Sequence, residues 1–233
     1  SSLRQILITK GEFSRSLDEF ALAGTLVGSD LHISRLAVRS DWLDLDVRGR
    51  LTLAGSYPGS VDADWNWKES EQGPFAGRLR MQGDVREYVL DHVLSTPVTI
   101  TSSGTVSYDS GSVGADLLHE WTSLEWPLAE RTLYSSKGRL RIKGGTEAFF
   151  LDLEADARVD DQPDAAINLA GDVQLLPRRE FDLQYLVTGL DPSIVIDSVS
   201  GRVGLEGSVT GFISDDRPDI KFRIERIEGE LNQ

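Results

Sequence analysis

The sequence predicts an all-β chain: a long antiparallel or mixed sheet, apolar on one face and curled lengthwise into a trough. Three observations carry that expectation. Apolar and polar residues alternate with a period of two in most segments, a glycine-framed phrase recurs along the chain, and helical period is almost absent.

The recurring phrase is a glycine, a polar residue, Leu or Val, any residue, then an apolar one. It reads Gly49-Arg-Leu-Thr-Leu53, Gly77-Arg-Leu-Arg-Met81, Gly138-Arg-Leu-Arg-Ile142 and Gly201-Arg-Val-Gly-Leu205, each followed by a second glycine at 55, 83, 144 or 207. Weaker copies begin at Gly24, Gly104, Gly171 and Gly229. The mean interval is about 29 residues, a period that marks units adding to a shared core. Side chains on a strand point alternately to opposite faces. Leu51 and Leu53 therefore oppose Arg50, Leu79 and Met81 oppose Arg78 and Arg80, and Leu140 and Ile142 oppose Arg139 and Arg141.

Segments between the copies alternate in the same way: Phe20 to Leu26, Phe149 to Ala155, Ala165 to Gly171, Phe181 to Val187 and Ile220 to Ile224. The best helical candidate is Asp84 to Leu94, with Val85, Val89 and Val93 four apart, and a bent strand is the other reading of it. Turns are marked by Tyr57-Pro58-Gly59, Gly73-Pro74, Asp109-Ser110-Gly111, Asp191-Pro192 and Ser214 to Pro218. No low-complexity linker divides the chain, so residues 1–233 read as one continuous repetitive unit of about 20 strands. Its first residues alternate (Leu3, Ile6, Ile8) and its last lie inside a repeat copy, so both ends are expected to be sheet edges of a longer protein.

A sheet with one apolar face must cover it, and no helices are at hand. A sandwich, a barrel or an open trough would each serve; steady repetition without linkers favours the trough, expected to be elongated beyond the roughly 17–18 Å radius of gyration of a compact chain of this length. A trough lined by Leu, Val, Ile and Phe needs apolar cargo or a partner over it. A transmembrane barrel is disfavoured because the polar faces carry too much charge to meet lipid.

Composition narrows the function classes. The 24 basic and 38 acidic residues leave a net charge of −14, which repels nucleic acid and anionic membrane surfaces. There is no cysteine, hence no thiol catalysis, disulfide or thiolate metal site. His32, His92 and His119 are scattered outside any metal-binding helix motif and read as surface or packing residues. Acidic pairs such as Asp44/Asp46, Asp62/Asp64 and Asp160/Asp161 read as chance neighbours among many carboxylates, and Asp215, Asp216 and Asp219 as a solvated turn rather than a calcium site. The expectation is a non-enzyme without catalytic residues, metal or cofactor. The tryptophans read as core or lining residues: Leu124, Trp126 and Leu128 share a face, Trp65 and Trp67 share a face, and Trp121 falls on the opposite parity to Trp126.

The phrases Trp121-Thr-Ser-Leu-Glu-Trp126-Pro-Leu128 and Ser136-Lys-Gly-Arg-Leu-Arg-Ile-Lys-Gly144 resemble the repeating text of the AsmA-like superfamily, above all its translocation-and-assembly-module branch, TamB. Asp64-Trp65-Asn66-Trp67 with Gly77 to Gly83, and Gly201 to Gly211, echo them. The resemblance implies an internal segment of a periplasmic β trough in a Gram-negative bacterium. It also implies an inner-membrane anchor and a TamA-like outer-membrane partner, both reached through regions outside this chain. The implied roles are phospholipid passage between the two membranes and help in assembling outer-membrane proteins such as autotransporters.

Alternation then assigns the lining to Leu22, Leu26, Leu51, Leu53, Leu79, Met81, Val106, Leu124, Trp126, Leu140, Ile142, Leu151, Leu153, Ile167, Leu169, Leu183, Val203, Leu205, Phe222 and Ile224, where phospholipid acyl chains would lie. The competing function is a structural or adhesion module, a β-solenoid or sandwich whose apolar face is closed core. Bound phospholipid separates the two.

Overall fold

Strands form where the alternation places them, and the computed structural model describes residues 2–10, 13–70, 73–109, 111–128, 131–194, 198–213 and 218–232. Two units are present, Ser1–Ser110 and Gly111–Gln233. The first holds β1 (Ser2–Lys10), β2 (Phe13–Val27), β3 (Asp30–Arg39), β4 (Leu43–Thr52), β5 (Gly59–Trp67), β6 (Phe75–Asp84), β7 (Glu87–Thr96) and β8 (Ile100–Asp109), each paired with the next. The second holds β9 (Ser112–Trp121), β10 (Leu124–Leu128), β11 (Arg131–Gly145), β12 (Ala148–Val159), β13 (Ala165–Gln174), β14 (Glu180–Leu190), β15 (Ser200–Ile213) and β16 (Pro218–Asn232). There β9 and β10 both flank β11, as two halves of one interrupted strand, and β11 to β16 follow in order. Helix is confined, among the described residues, to a single turn at Pro192–Ile194.

The fold class is the one the alternation predicts: all-β, antiparallel at every described pairing, and open rather than closed into a barrel. The described residues form sixteen strands, against about 20 expected, because several run to 14 or 15 residues. The helical candidate is a tight turn followed by β7, so of its two readings the strand holds. Val89 and Val93 then lie on the polar face, half or nearly half exposed, while Leu90 and Leu94 take the apolar one. The turn residues Ser214 to Arg217, with the possible calcium ligands Asp215 and Asp216, lie outside the described residues.

Neither unit closes a deep core. Among the described residues the buried apolar ones are small or few (Leu17, Ala37, Ala63, Val98, Ala157 and Ala165), and no large side chain is fully buried. The accessible surface is 15481 Å². Two separate compact domains sharing this mass would expose about 12,600 Å². The excess is what single-layered sheets leave open.

Register shifts bend the strands. They fall between Ala23 and Gly24, Ile33 and Leu36, and Ala76 and Gly77 in the first unit. In the second they fall between Tyr134 and Lys137, Val187 and Leu190, and Glu206 and Gly207. An extra residue on one strand increases local twist and bends it.

Two glycines of the third phrase show why that residue type is needed. A Cβ at Gly138 would overlap the indole of Trp121, its partner on β9. Gly144 has φ near +154°, and a Cβ there would strike the backbone of Ala148 and Phe149. Gly138→Ala and Gly144→Ala are each expected to lower stability by about 1–3 kcal/mol. Gly28→Asn, at φ +61° with open space around it, should change it by less than about 0.5 kcal/mol. Urea midpoints at unchanged slope read both.

Candidate functional site: a continuous apolar face

Cross-strand register places the expected lining on one face within each unit. In the first, one row runs Leu22, Leu36, Val47, Ala63, Leu79, His92 and Ser102 from β2 to β8. A second runs Leu26, Leu31, Leu51, Gly59, Gly83, Tyr88 and Val106, and between them Val61, Met81 and Leu90 stand opposite one another. Leu53 lies beyond the end of β4, where its N–H donates to the Ser29 carbonyl at 2.7 Å.

In the second unit one row runs His119, Leu140, Leu153, Leu169, Tyr185, Gly207 and Ile224. The next runs Leu117, Ile142, Leu151, Gly171, Leu183, Val209 and Phe222. Ile167 faces Ala155 and Val187, Val187 faces Leu205, and Val203 faces Leu190 and Gly229. Leu124 and Trp126 join this face opposite Ser135 and Leu133 on β11.

Fifteen of the twenty expected residues are half-buried, and Leu22, Leu26, Leu53, Phe222 and Ile224 are exposed, Phe222 by 72%. Half-burial of most of them, with the rest exposed, is what one sheet supplies when strand neighbours shield each side chain laterally and nothing caps it from above. A packed core would instead hold several large residues below a few per cent exposure.

Trp121 was expected opposite Trp126 and in fact shares its face. Thr122 and Ser123 interrupt the strand between β9 and β10, and the three-residue step from Trp121 to Leu124 resets the parity. The indole covers Gly138 and donates from Nε1 to Ser135 Oγ at 2.7 Å. Trp65 repeats the device on Gly77, its partner on β6. His92 and His119, read from the sequence as surface or packing residues, lie on the apolar face, because a lone imidazole in an alternating run gives no signal of which face it takes. Leu90 and Leu94 were obscured by the competing valines at i, i+4.

The opposite face is an ion-pair lattice. Arg78 pairs with Asp64 at 3.6 Å and Arg80 with Asp62 at 3.0 Å across β5 and β6. Arg139 pairs with Glu154 at 2.6 Å, and Arg141 makes two 2.8 Å bonds to Asp116. Lys68 holds Asp44 at 2.8 Å, and Arg39 holds Asp46. The acidic pairs Asp44/Asp46 and Asp62/Asp64 are thus each engaged by a base of their own, which is cross-strand pairing rather than a carboxylate dyad. No cluster of three or more His, Asp or Glu suited to a metal occurs among the described residues. Nor is any helix among them long and apolar enough to cross a membrane.

The two hydrogen bonds from Arg141, with a further one from Lys143, hold the Asp116 carboxyl down at about 2. Hydrogen bonding to Glu154 raises Arg139 in turn. For a carboxylate depressed by folding, the stabilisation is present above its unfolded value and lost as pH falls through the folded one. Asp116 should therefore remain ionised at pH ~3, where free aspartate is largely protonated. Carboxyl NMR titration is expected to give a midpoint near 2. A midpoint at the ordinary aspartate value would mean that the pair does not form.

A family model described as TamB, N-terminal domain, matches residues 2–190. No curated protein and no solved structure matches the chain.

Proposed function

Because this chain belongs to the TamB N-terminal-domain family, we propose that the apolar face of its sheets is a path for phospholipid acyl chains. The family supports a TamB-like role in the bacterial envelope, and on our reading the chain is a structural and transport module rather than an enzyme. On our reading it works in the periplasm of a Gram-negative cell as one segment of a bridge between inner and outer membranes. An inner-membrane anchor and a TamA-like outer-membrane partner would be reached through other parts of the protein. Outer-membrane protein assembly, including that of autotransporters, would profit from the lipid delivered.

The observation that carries this reading is the uncovered, one-sided apolar register in each unit, from Leu22 to Val106 and from Leu117 to Phe222. Burying hydrocarbon against such a face stabilises by about 0.8 kcal/mol per methylene, so an acyl chain laid on it is well held without any directional contact. Non-directional attraction also lets the chain slide, since each step exchanges one set of aliphatic neighbours for another. The charged opposite face keeps lipid from that side and blunts wrong sheet pairing. The lack of any fully buried large side chain among the described residues counts against the alternative, a scaffold or adhesion module with a closed core.

Leu140→Asp and Ile142→Arg put a charge into the middle of the second unit's path, opposite Leu153 and Leu151. On an open face each new charge can still reach water, so the protein should stay folded, with stability lowered by less than about 2 kcal/mol. Lipid transfer between vesicles should fall tenfold or more, while Arg139→Gln and Arg141→Gln stay within twofold of the parent. In a closed core both inward variants would unfold, at several kcal/mol each. Unfolding of both, or folding with undiminished transfer, would remove the assignment.

A further inference from the structure

The apolar face of the first unit carries one imidazole, and its surroundings define what it can do. His92 stands on β7 between Leu90 and Leu94, opposite Leu79 on β6 and Ser102 on β8. Trp65, two strands away on β5, stacks on it with ring centroids 5.7 Å apart and planes 9° from parallel. The indole Nε1 donates to His92 Nε2 at 3.2 Å. Gly77 makes that reach possible: a Cβ there would lie 2.9 Å from the Trp65 ring and 3.0 Å from His92 Nε2. An Nε2 that accepts a hydrogen bond carries no proton, so this contact belongs to the neutral imidazole.

By register, the apolar faces of β5, β6 and β8 bring no carboxylate, ammonium or guanidinium to His92. The other titratable groups there are the phenols of Tyr88 and Tyr108, and Tyr88 donates to the Tyr57 carbonyl. Arg78, Arg80 and Asp91 belong to the polar face and, with His92, line a shallow depression over β6 to β8. Both arginines are already engaged by aspartates of β5. Nothing on the apolar side therefore neutralises a proton gained by the imidazole.

Resting on the groove reading above, we propose that His92 is a proton-operated break in the apolar path, open to acyl chains when neutral and closed to them when charged. Protonation at Nε2 removes the acceptor of the Trp65 N–H and sets two donors against each other. The ring pair must separate, and an imidazolium then lies in the row between Leu79 and Ser102, where hydrocarbon cannot solvate it. Burial already holds His92 below the ordinary imidazole value. For a histidine depressed in this way, the folded arrangement is favoured above the unfolded pKa and loses that advantage as pH falls below it. The break therefore sets in on the acid side of the ordinary histidine range.

A photocrosslinking residue at position 79 (Leu79→p-benzoylphenylalanine) reads the path beside His92, with the full chain incubated with phosphatidylcholine vesicles, whose charge is constant over the range used. Crosslinked lipid should fall about fivefold between pH ~7.5 and pH ~5, on either side of the imidazole range. His92→Gln should remove the dependence, and His92→Lys should give low crosslinking at both. Position 81 (Met81→p-benzoylphenylalanine) repeats the measurement should the first probe perturb folding, and the Trp65 indole N–H resonance follows folding and titration in the same samples. Equal crosslinking at both pH values, or a fall that survives His92→Gln, overturns this inference alone. No crosslinking at either pH removes the groove reading and this inference with it.

Discussion

Backbone hydrogen bonds between neighbouring strands hold this structure together, because among the described residues no large side chain is fully buried to share that task. Each inner strand is fixed by the ladder on either side of it, and its side chains are shielded laterally by their cross-strand partners. This makes the register of every pair the quantity on which all else depends. A slip of one residue would turn Leu140 and Ile142 toward solvent and bring Arg139 and Arg141 onto the apolar face. The ion pairs of the polar face oppose such a slip: Arg141 meets Asp116, and Arg139 meets Glu154, only in the observed register. Exposed pairs of this kind add little stability individually, and their contribution here is to specificity of pairing.

The glycine phrases belong to the same constraint. An opening glycine such as Gly77 or Gly138 sits opposite a tryptophan of a neighbouring strand, and the missing side chain becomes the seat for an indole. The eight glycines that mark the phrases fall on β2, β4, β6, β8, β11, β13, β15 and β16. For most of the chain the sequence interval thus corresponds to one hairpin. An indole laid over a glycine widens the apolar face without raising a ridge on it, as the proposed acyl-chain path would require.

Most of the fold was legible in the sequence because period-two alternation is a direct readout of a one-sided sheet. Much of what escaped it has one physical cause. Wherever the apolar parity advances by three residues, as from Ile33 to Leu36, Trp121 to Leu124, Ser135 to Gly138 and Ile224 to Ile227, a register shift or a strand break absorbs the extra residue. A strict two-residue count loses the face at each such step, which is how Trp121 came to be placed opposite Trp126. At β7 the valines of the polar face imitated a helical stripe, and only the partner strands β6 and β8 decide between the readings. The residues that share the apolar face were recoverable from alternation, whereas the surroundings of His92 are set by Trp65 and Gly77, which the sequence places 27 and 15 positions away.

The account rests on an apolar face that protein does not cover, and what does cover it can be weighed. Native mass spectrometry of the chain, expressed in a Gram-negative host and purified without detergent, tests this most directly. Phospholipid should travel with the protein, in amounts that fall when Leu140→Asp and Ile142→Arg are combined. A folded, lipid-free chain that also takes up no phospholipid from added vesicles would contradict it.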